Sequence, residues 1–143
     1  MKIVTMAAAV ALIAGTAIAQ DAPSPDRLVL PGATLAPDCG DLYGLAGKAF
    51  CVSAPLAAIG ALADAYVADL GTKGWIAASG EDNRVVFVRR RDGGGCDGLQ
   101  MQAFYDTSRP AGPNVVGYLG FGPIPGDVCA GQPAAPAEAP QQQ

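Results

Sequence analysis

Histidine is absent from this sequence of 143 residues. Without it the chain cannot form Ser-His-Asp or Cys-His nucleophile arrangements or histidine-ligated metal sites, and it lacks the usual base at neutral pH. No serine lies in a G-x-S-x-G or S-x-x-K motif, and no two cysteines have the spacing of a redox C-x-x-C or of a close zinc-binding pair. The sequence therefore predicts no catalytic residue, cofactor site or metal site.

Charge and long apolar runs are also scarce. Charged residues make up 15% of the chain, and 13 acidic residues outnumber 9 basic ones. An acidic chain is poorly suited to phosphate contacts, so nucleic acid is not expected as a partner. The clearest apolar run, Met6 to Ile18, is shorter than the roughly 20 residues needed to cross a bilayer, so no membrane span is expected.

Residues 1–19 instead have the organisation of a secretory signal peptide. Lys2 provides a positive start, the apolar run follows, and Ala17-Ile18-Ala19 fits the small-x-small rule for cleavage. Cleavage after Ala19 is predicted, and an uncleaved membrane anchor is the alternative. We therefore expect an exported protein, located in the periplasm or outside the cell.

The predicted location determines how the four cysteines are interpreted. In an oxidising compartment they indicate two disulfides, for which sequence alone allows three pairings. Cys39 and Cys51 bracket a short Gly-rich segment, whereas Cys96 and Cys129 flank a predicted hairpin. This layout favours bonds between Cys39 and Cys51 and between Cys96 and Cys129. A metal site built from all four is the alternative, which the spacing disfavours.

Composition divides the rest of the chain into three parts. Residues 20–26 form a Pro-rich segment that is predicted to be a flexible leader, and residues 27–130 have the length and apolar content of one domain. Residues 131–143 contain no apolar residue larger than alanine or proline, so a disordered Pro/Ala/Gln tail is predicted.

The clearest local element is a helix. Ser53 is the predicted cap, Pro55 suits the first turn, and Gly71 is the expected left-handed stop after Leu70. Apolar side chains recur at steps of three and four residues, namely at Leu56, Ile59, Ala63, Tyr66, Val67 and Leu70. One face of this helix is expected to be buried.

Period-two alternation then predicts strands at Trp75 to Ser79, Arg84 to Arg91, Leu99 to Tyr105 and Val115 to Phe121. Gly80 to Asn83 has the composition of a turn, and Leu28 to Leu30 suggests a short edge strand. A helix followed by turn-linked strands indicates an α+β fold. We expect one main helix packed on an antiparallel sheet of about four strands, stapled by disulfides and flanked by disordered termini.

Three acidic pairs could in principle support carboxylate chemistry: Asp38 with Asp41, Glu81 with Asp82, and Asp92 with Asp97. Each pair lies in a predicted turn, where such residues are favoured because they hydrogen-bond to the backbone. Gly93 to Gly98 satisfies G-x-G-x-x-G, but a strand follows it rather than the helix that a phosphate-binding loop requires. We interpret it as a hairpin loop.

Five residues are candidates for an interface. Arg89, Arg90 and Arg91 form the one basic concentration, with Arg90 expected on one face of its strand and its two neighbours on the other. They are interpreted either as a charged strand end or as a contact for an anion. Tyr118 and Phe121 fall on opposite faces of a Gly-rich strand, so one of these rings is a candidate for exposure.

Two functions are consistent with these features. The first, which we favour, is a monomeric, non-enzymatic module of the cell envelope that binds an unidentified envelope protein or an anionic surface. The second is a small hydrolase that acts on envelope material with carboxylates. A cavity containing two carboxyl groups would favour the hydrolase.

Overall fold

The fold is described by a computed structural model for residues 28–130. Its elements are β1 (Thr34–Leu35), β2 (Phe50–Pro55), α1 (Ile59–Thr72), β3 (Ile76–Glu81), β4 (Arg84–Arg90), β5 (Cys96–Tyr105) and β6 (Val116–Ile124). The strands form one antiparallel sheet in the order β1-β2-β6-β5-β4-β3, and α1 packs on one side of it. The predicted α+β fold is confirmed. The predictions for residues 1–19, 20–26 and 131–143 lie outside the described residues.

The prediction of about four strands was wrong, because the sheet has six. Strand β2 is one of the two additional strands. Phe50, Val52 and Ala54 alternate on its core side, but the sequence does not predict it because Ser53 and Pro55 favour the start of a helix. Ser53 instead lies opposite Tyr118 in the β2–β6 ladder. With β2 in place, the two-residue strand β1 adds at its outer edge.

The predicted edge strand at Leu28 to Leu30 is also absent. Those residues pack against the helix instead: Leu28 is buried, and both it and Leu30 bond through their backbones to Tyr66. Backbone groups of this segment bond to the Tyr66 hydroxyl and not to a neighbouring strand, so the segment covers the core without extending the sheet.

Helix α1 begins and ends later than predicted. A 3₁₀ turn, Leu56–Ala58, precedes it, and no side chain caps either start. At the other end Gly71 lies inside the helix, and the left-handed residue is Gly74, with φ of 84°. The predicted apolar stripe is confirmed in its main members, since Ile59, Tyr66 and Leu70 are buried together with Leu62.

The main core lies between this stripe and one side of the sheet. The sheet contributes buried side chains from four strands: Val52, Ala54, Phe87, Leu99, Met101, Leu119 and Phe121. Tyr66 lies at the centre of this layer, fully buried, with its ring 4.8 Å from that of Phe121. Its hydroxyl donates to the carbonyl of Leu28 and accepts from the amide of Leu30, 3.2 Å away. A polar atom in the core is thus fully bonded.

The variant Tyr66→Phe is expected to lower the free energy of unfolding by about 1–3 kcal/mol, because it leaves a buried carbonyl without its donor. Burial also raises the pKa of Tyr66. The folded state therefore holds the phenolic proton more tightly, and its stability is fully present below about pH 10 and falls as the pH rises above it.

Urea denaturation across alkaline pH checks both effects. The wild type is expected to lose more stability above about pH 10 than Tyr66→Phe does. Tyr43→Phe is the matched control, since Tyr43 is exposed and its hydroxyl has no hydrogen-bond partner within residues 28–130. Equal alkaline losses in wild type and Tyr66→Phe would contradict the prediction.

Candidate functional site

The side of the sheet opposite α1 is only partly covered, and we call it the open face. The strand registers place alternate side chains of β3, β4, β5 and β6 on this side. Its uncovered part consists of Ile76, Ser79, Glu81, Arg84, Val86, Val88, Arg90, Gln100, Gln102 and Gly122. On the edge strand β3, Ile76 is 65% exposed and lies opposite Val88.

One end of the open face is covered by residues 36–49. Cys51 points to this side from β2, and its disulfide to Cys39 holds the covering loop against the sheet. Beneath the loop a second, smaller core forms around the two cysteines, Phe104 and Tyr118, whose rings stack with centroids 5.3 Å apart. The loop is therefore a fixed wall of the open face.

The opposite end is covered by residues 125–130. The disulfide between Cys96 and Cys129 fixes this segment, and Asp127 accepts hydrogen bonds from the amides of both cysteines. These hydrogen bonds lower the pKa of Asp127, and the one from the Cys96 amide has the largest effect. Val128 packs so closely on Gly98 that a Cβ there would lie 2.5 Å from it, so this position requires glycine. Both predicted disulfide pairings are confirmed.

The group formed by Cys96, Asp127 and Cys129 resembles a metal-binding cluster by proximity alone. Its two sulfur atoms are joined to each other in the disulfide. Thiolates are the form of cysteine that binds metal, so this group is a covalent staple and offers no sulfur ligand.

Between the two covering segments lies a groove of about 380 Å³. Its floor is formed where Gly120 and Gly122 of β6 lie beside Gln102 and Gln100 of β5. The two glutamine amides bond to each other over 3.2 Å. The walls come from both covering segments and the end of β6: Leu45, Lys48, Ala49, Ile124 and Pro125. The groove is thus mainly apolar, with two amides and one ammonium group.

The three candidate arginines separate as the alternation predicts. Arg89 and Arg91 lie on the helix side, where both pair with Asp97 at 3.7 and 2.7 Å. Arg89 also lies over the ring of Trp75, 4.4 Å from its centroid. Arg90 projects from the open face and is exposed. The structure therefore assigns Arg89 and Arg91 to packing and ion pairing, and leaves Arg90 available.

The two candidate aromatic residues lie on opposite sides of β6, and neither is fully exposed. Phe121 is 2% exposed, packed in the main core against Tyr66 and Phe50. Tyr118 is half-buried beneath the covering loop, stacked on Phe104. Both faces of this strand are covered here, a fact that alternation along one strand cannot show.

Two basic side chains differ from the others in lacking an ion pair within residues 28–130. Five basic side chains lie within 4.0 Å of a carboxylate oxygen: Lys73, Arg84, Arg89, Arg91 and Arg109. Within residues 28–130 the two without such a partner are Lys48 and Arg90. Lys48 lines the groove and Arg90 extends from the same face. The two basic groups without a carboxylate partner within residues 28–130 thus lie on the side of the open face, Lys48 in the lining of the groove and Arg90 outside that lining.

Two further cavities, of about 530 and 450 Å³, lie near the other end of the sheet. Together with the groove they contain one carboxylate, Asp106. Its pKa is lowered because Ser108 donates to it from both hydroxyl and amide, so it is a poor proton donor. None of the acidic pairs singled out in the sequence lines these cavities. A hydrolase with two carboxyl groups therefore has no site in them.

Taken together, the fold and this site define a disulfide-stapled α+β domain with one sheet face left partly open. No protein-family model, curated protein or solved structure matches the chain. No helix within residues 28–130 is long and apolar enough to cross a membrane.

Sequence reasoning missed the groove, although part of its signal was present. Gly120 and Gly122 recur at the strand period, so they remove side chains from one face of β6. That pattern indicates a depression in a sheet surface. What it could not indicate is that the two disulfides stand on either side of it.

Proposed function

We propose that this protein is an exported, non-enzymatic module of the cell envelope that binds a macromolecular partner through the open face. The observation that carries the proposal is the incomplete cover of that face, where Ile76 is 65% exposed beside the half-buried Val86 and Val88. These side chains adjoin one another on β3 and β4, and contiguous exposed apolar surface is typical of an interaction site. The two disulfides support export, since such bonds persist in oxidising compartments.

The rigidity of the two covering segments also supports binding. Each wall of the groove is joined covalently to a strand, by Cys39–Cys51 or by Cys96–Cys129. A surface held in one shape loses little conformational entropy when a partner binds, which improves affinity. The stapling therefore serves recognition as well as stability.

The variant Ile76→Asp is expected to reduce partner capture by about tenfold or more, because burying an isoleucine contributes about 1.5–3 kcal/mol and a buried charge opposes it. The full chain and its variants are immobilised and exposed to envelope extract, and captured proteins are quantified by mass spectrometry. Leu35→Asp is the matched control, as Leu35 is 44% exposed on the other side of the sheet.

A partner captured by the wild type and by Leu35→Asp, and lost with Ile76→Asp, supports binding through the open face. Equal capture of the same proteins by all three forms would contradict that proposal. Thermal melts of the variants show whether each remains folded.

A further inference from the structure

The shape of the groove limits what can occupy it. It lies between two stapled walls, a shape that suits an extended chain better than a flat surface such as a bilayer. At Gly122 a Cβ would meet no atom within 4 Å, and φ there is not positive. The floor is thus open because the side chain is missing, and the backbone conformation does not demand glycine. The space it leaves is available to a ligand.

The lining favours a polypeptide as occupant. Leu45, Ile124 and Pro125 offer apolar contacts that suit amino-acid side chains. Gln100 and Gln102 each carry an amide donor and an amide acceptor. A peptide backbone carries one N–H donor and one carbonyl acceptor per residue, so these side chains can bond to both. Their mutual bond is exposed and can be exchanged for bonds to a ligand. A polysaccharide would satisfy the amides but offers less apolar surface to these aliphatic walls than amino-acid side chains do.

The charge around the groove favours an acidic occupant. Lys48 lies in the wall and Arg90 projects from the same face, and neither has a carboxylate partner within residues 28–130. The chain as a whole has a net charge of −4. Two cations that have no carboxylate partner within residues 28–130 attract an anion to this face, whereas the net negative charge of the protein repels it elsewhere.

We propose that the groove binds an extended, acidic segment of a partner protein, with its carboxylates near Lys48 and Arg90 and its apolar side chains between the two walls. This inference rests on the proposed function and names the chemistry of the partner. It predicts that affinity falls as salt is raised, because the carboxylate contacts are partly exposed to solvent.

The decisive variant is Gly122→Leu, which fills the groove at a position where the added side chain meets no neighbour. The probe is a random peptide library displayed on phage and selected on the full chain. Gly71→Leu is the matched control, since Gly71 is exposed on α1 and a Cβ there also meets nothing. Thermal melts confirm that both variants are folded.

We expect the selected peptides to alternate acidic with apolar residues. They should bind the wild type and Gly71→Leu alike, and bind Gly122→Leu and Lys48→Glu about tenfold more weakly or worse. Lys73→Glu controls for net charge, because Lys73 lies at the end of the helix, away from the open face. No enriched peptide, a basic consensus, or equal binding to Gly122→Leu would overturn the inference.

Two further probes separate this inference from others. Phosphatidylglycerol vesicles or an anionic glycan that bind the wild type but not Lys48→Glu, with no peptide selected, would show that the face recognises anions other than polypeptide and would overturn it. If Ile76→Asp abolishes capture from envelope extract while Gly122→Leu leaves it intact, the open face binds a partner and the groove does not. That result would refute the inference while supporting the proposed function.

Discussion

Replacing Cys96 and Cys129 together by alanine is expected to lower the free energy of unfolding by about 2–5 kcal/mol. The bond closes a separation of 33 residues, so its loss returns considerable chain entropy to the unfolded state. It also releases residues 125–130. Their other contacts include the packing of Val128 on Gly98 and hydrogen bonds to the backbone of Cys96 and to the side chain of Arg91.

Urea denaturation of the oxidised wild type and the double variant measures this loss, and hydrogen exchange locates it. The amide of Val128, which donates to Cys96, is expected to lose protection before the amides of α1 do. An unchanged denaturation midpoint, or loss of protection spread evenly over the domain, would contradict the assignment of this disulfide to one wall of the groove.

Replacing Phe121 by alanine is expected to cost about 3–5 kcal/mol of stability. Phe121 is 2% exposed, and its ring lies 4.8 Å from that of Tyr66 and 6.0 Å from that of Phe50, measured between centroids. The substitution therefore leaves a cavity where the helix meets the sheet. Thermal or urea unfolding measures the effect.

Tyr43→Ala is the comparison for that experiment, because Tyr43 is 65% exposed and touches Phe104 only by an edge contact. Its expected cost is about 1 kcal/mol or less. If Phe121→Ala remained as stable as Tyr43→Ala but lost partner capture, Phe121 would be an interface residue, as its sequence first suggested, and the core assignment would be wrong.

Strand β2 is an element of the fold that the sequence did not predict. Its six residues include Ser53 and Pro55, both of which are favoured at the start of a helix, and a helix does follow nearby. What makes the segment a strand is its pairing with β6, from Phe50 opposite Phe121 to Pro55 opposite Val116. Tertiary pairing overrode a valid local signal.

The candidate site was predicted in part for a similar reason. Alternation along β4 correctly sent Arg90 to the face opposite Arg89 and Arg91. It could not show that Asp97, on the next strand, pairs with two of these arginines and leaves the third. Nor could it show that Lys48, in a distant loop, borders the same groove.

The sequence by itself determined the apolar stripe of the helix and the alternation of four strands, because each depends on periodicity within a short stretch of chain. It favoured both cysteine pairings through their positions around predicted elements but allowed others. The tertiary structure alone decided the order of six strands, the cover on each side of the sheet and the groove with Lys48 in its wall. These features depend on contacts between residues far apart in the chain, such as Cys51 opposite Gly120. No local pattern encodes which of many such contacts will form.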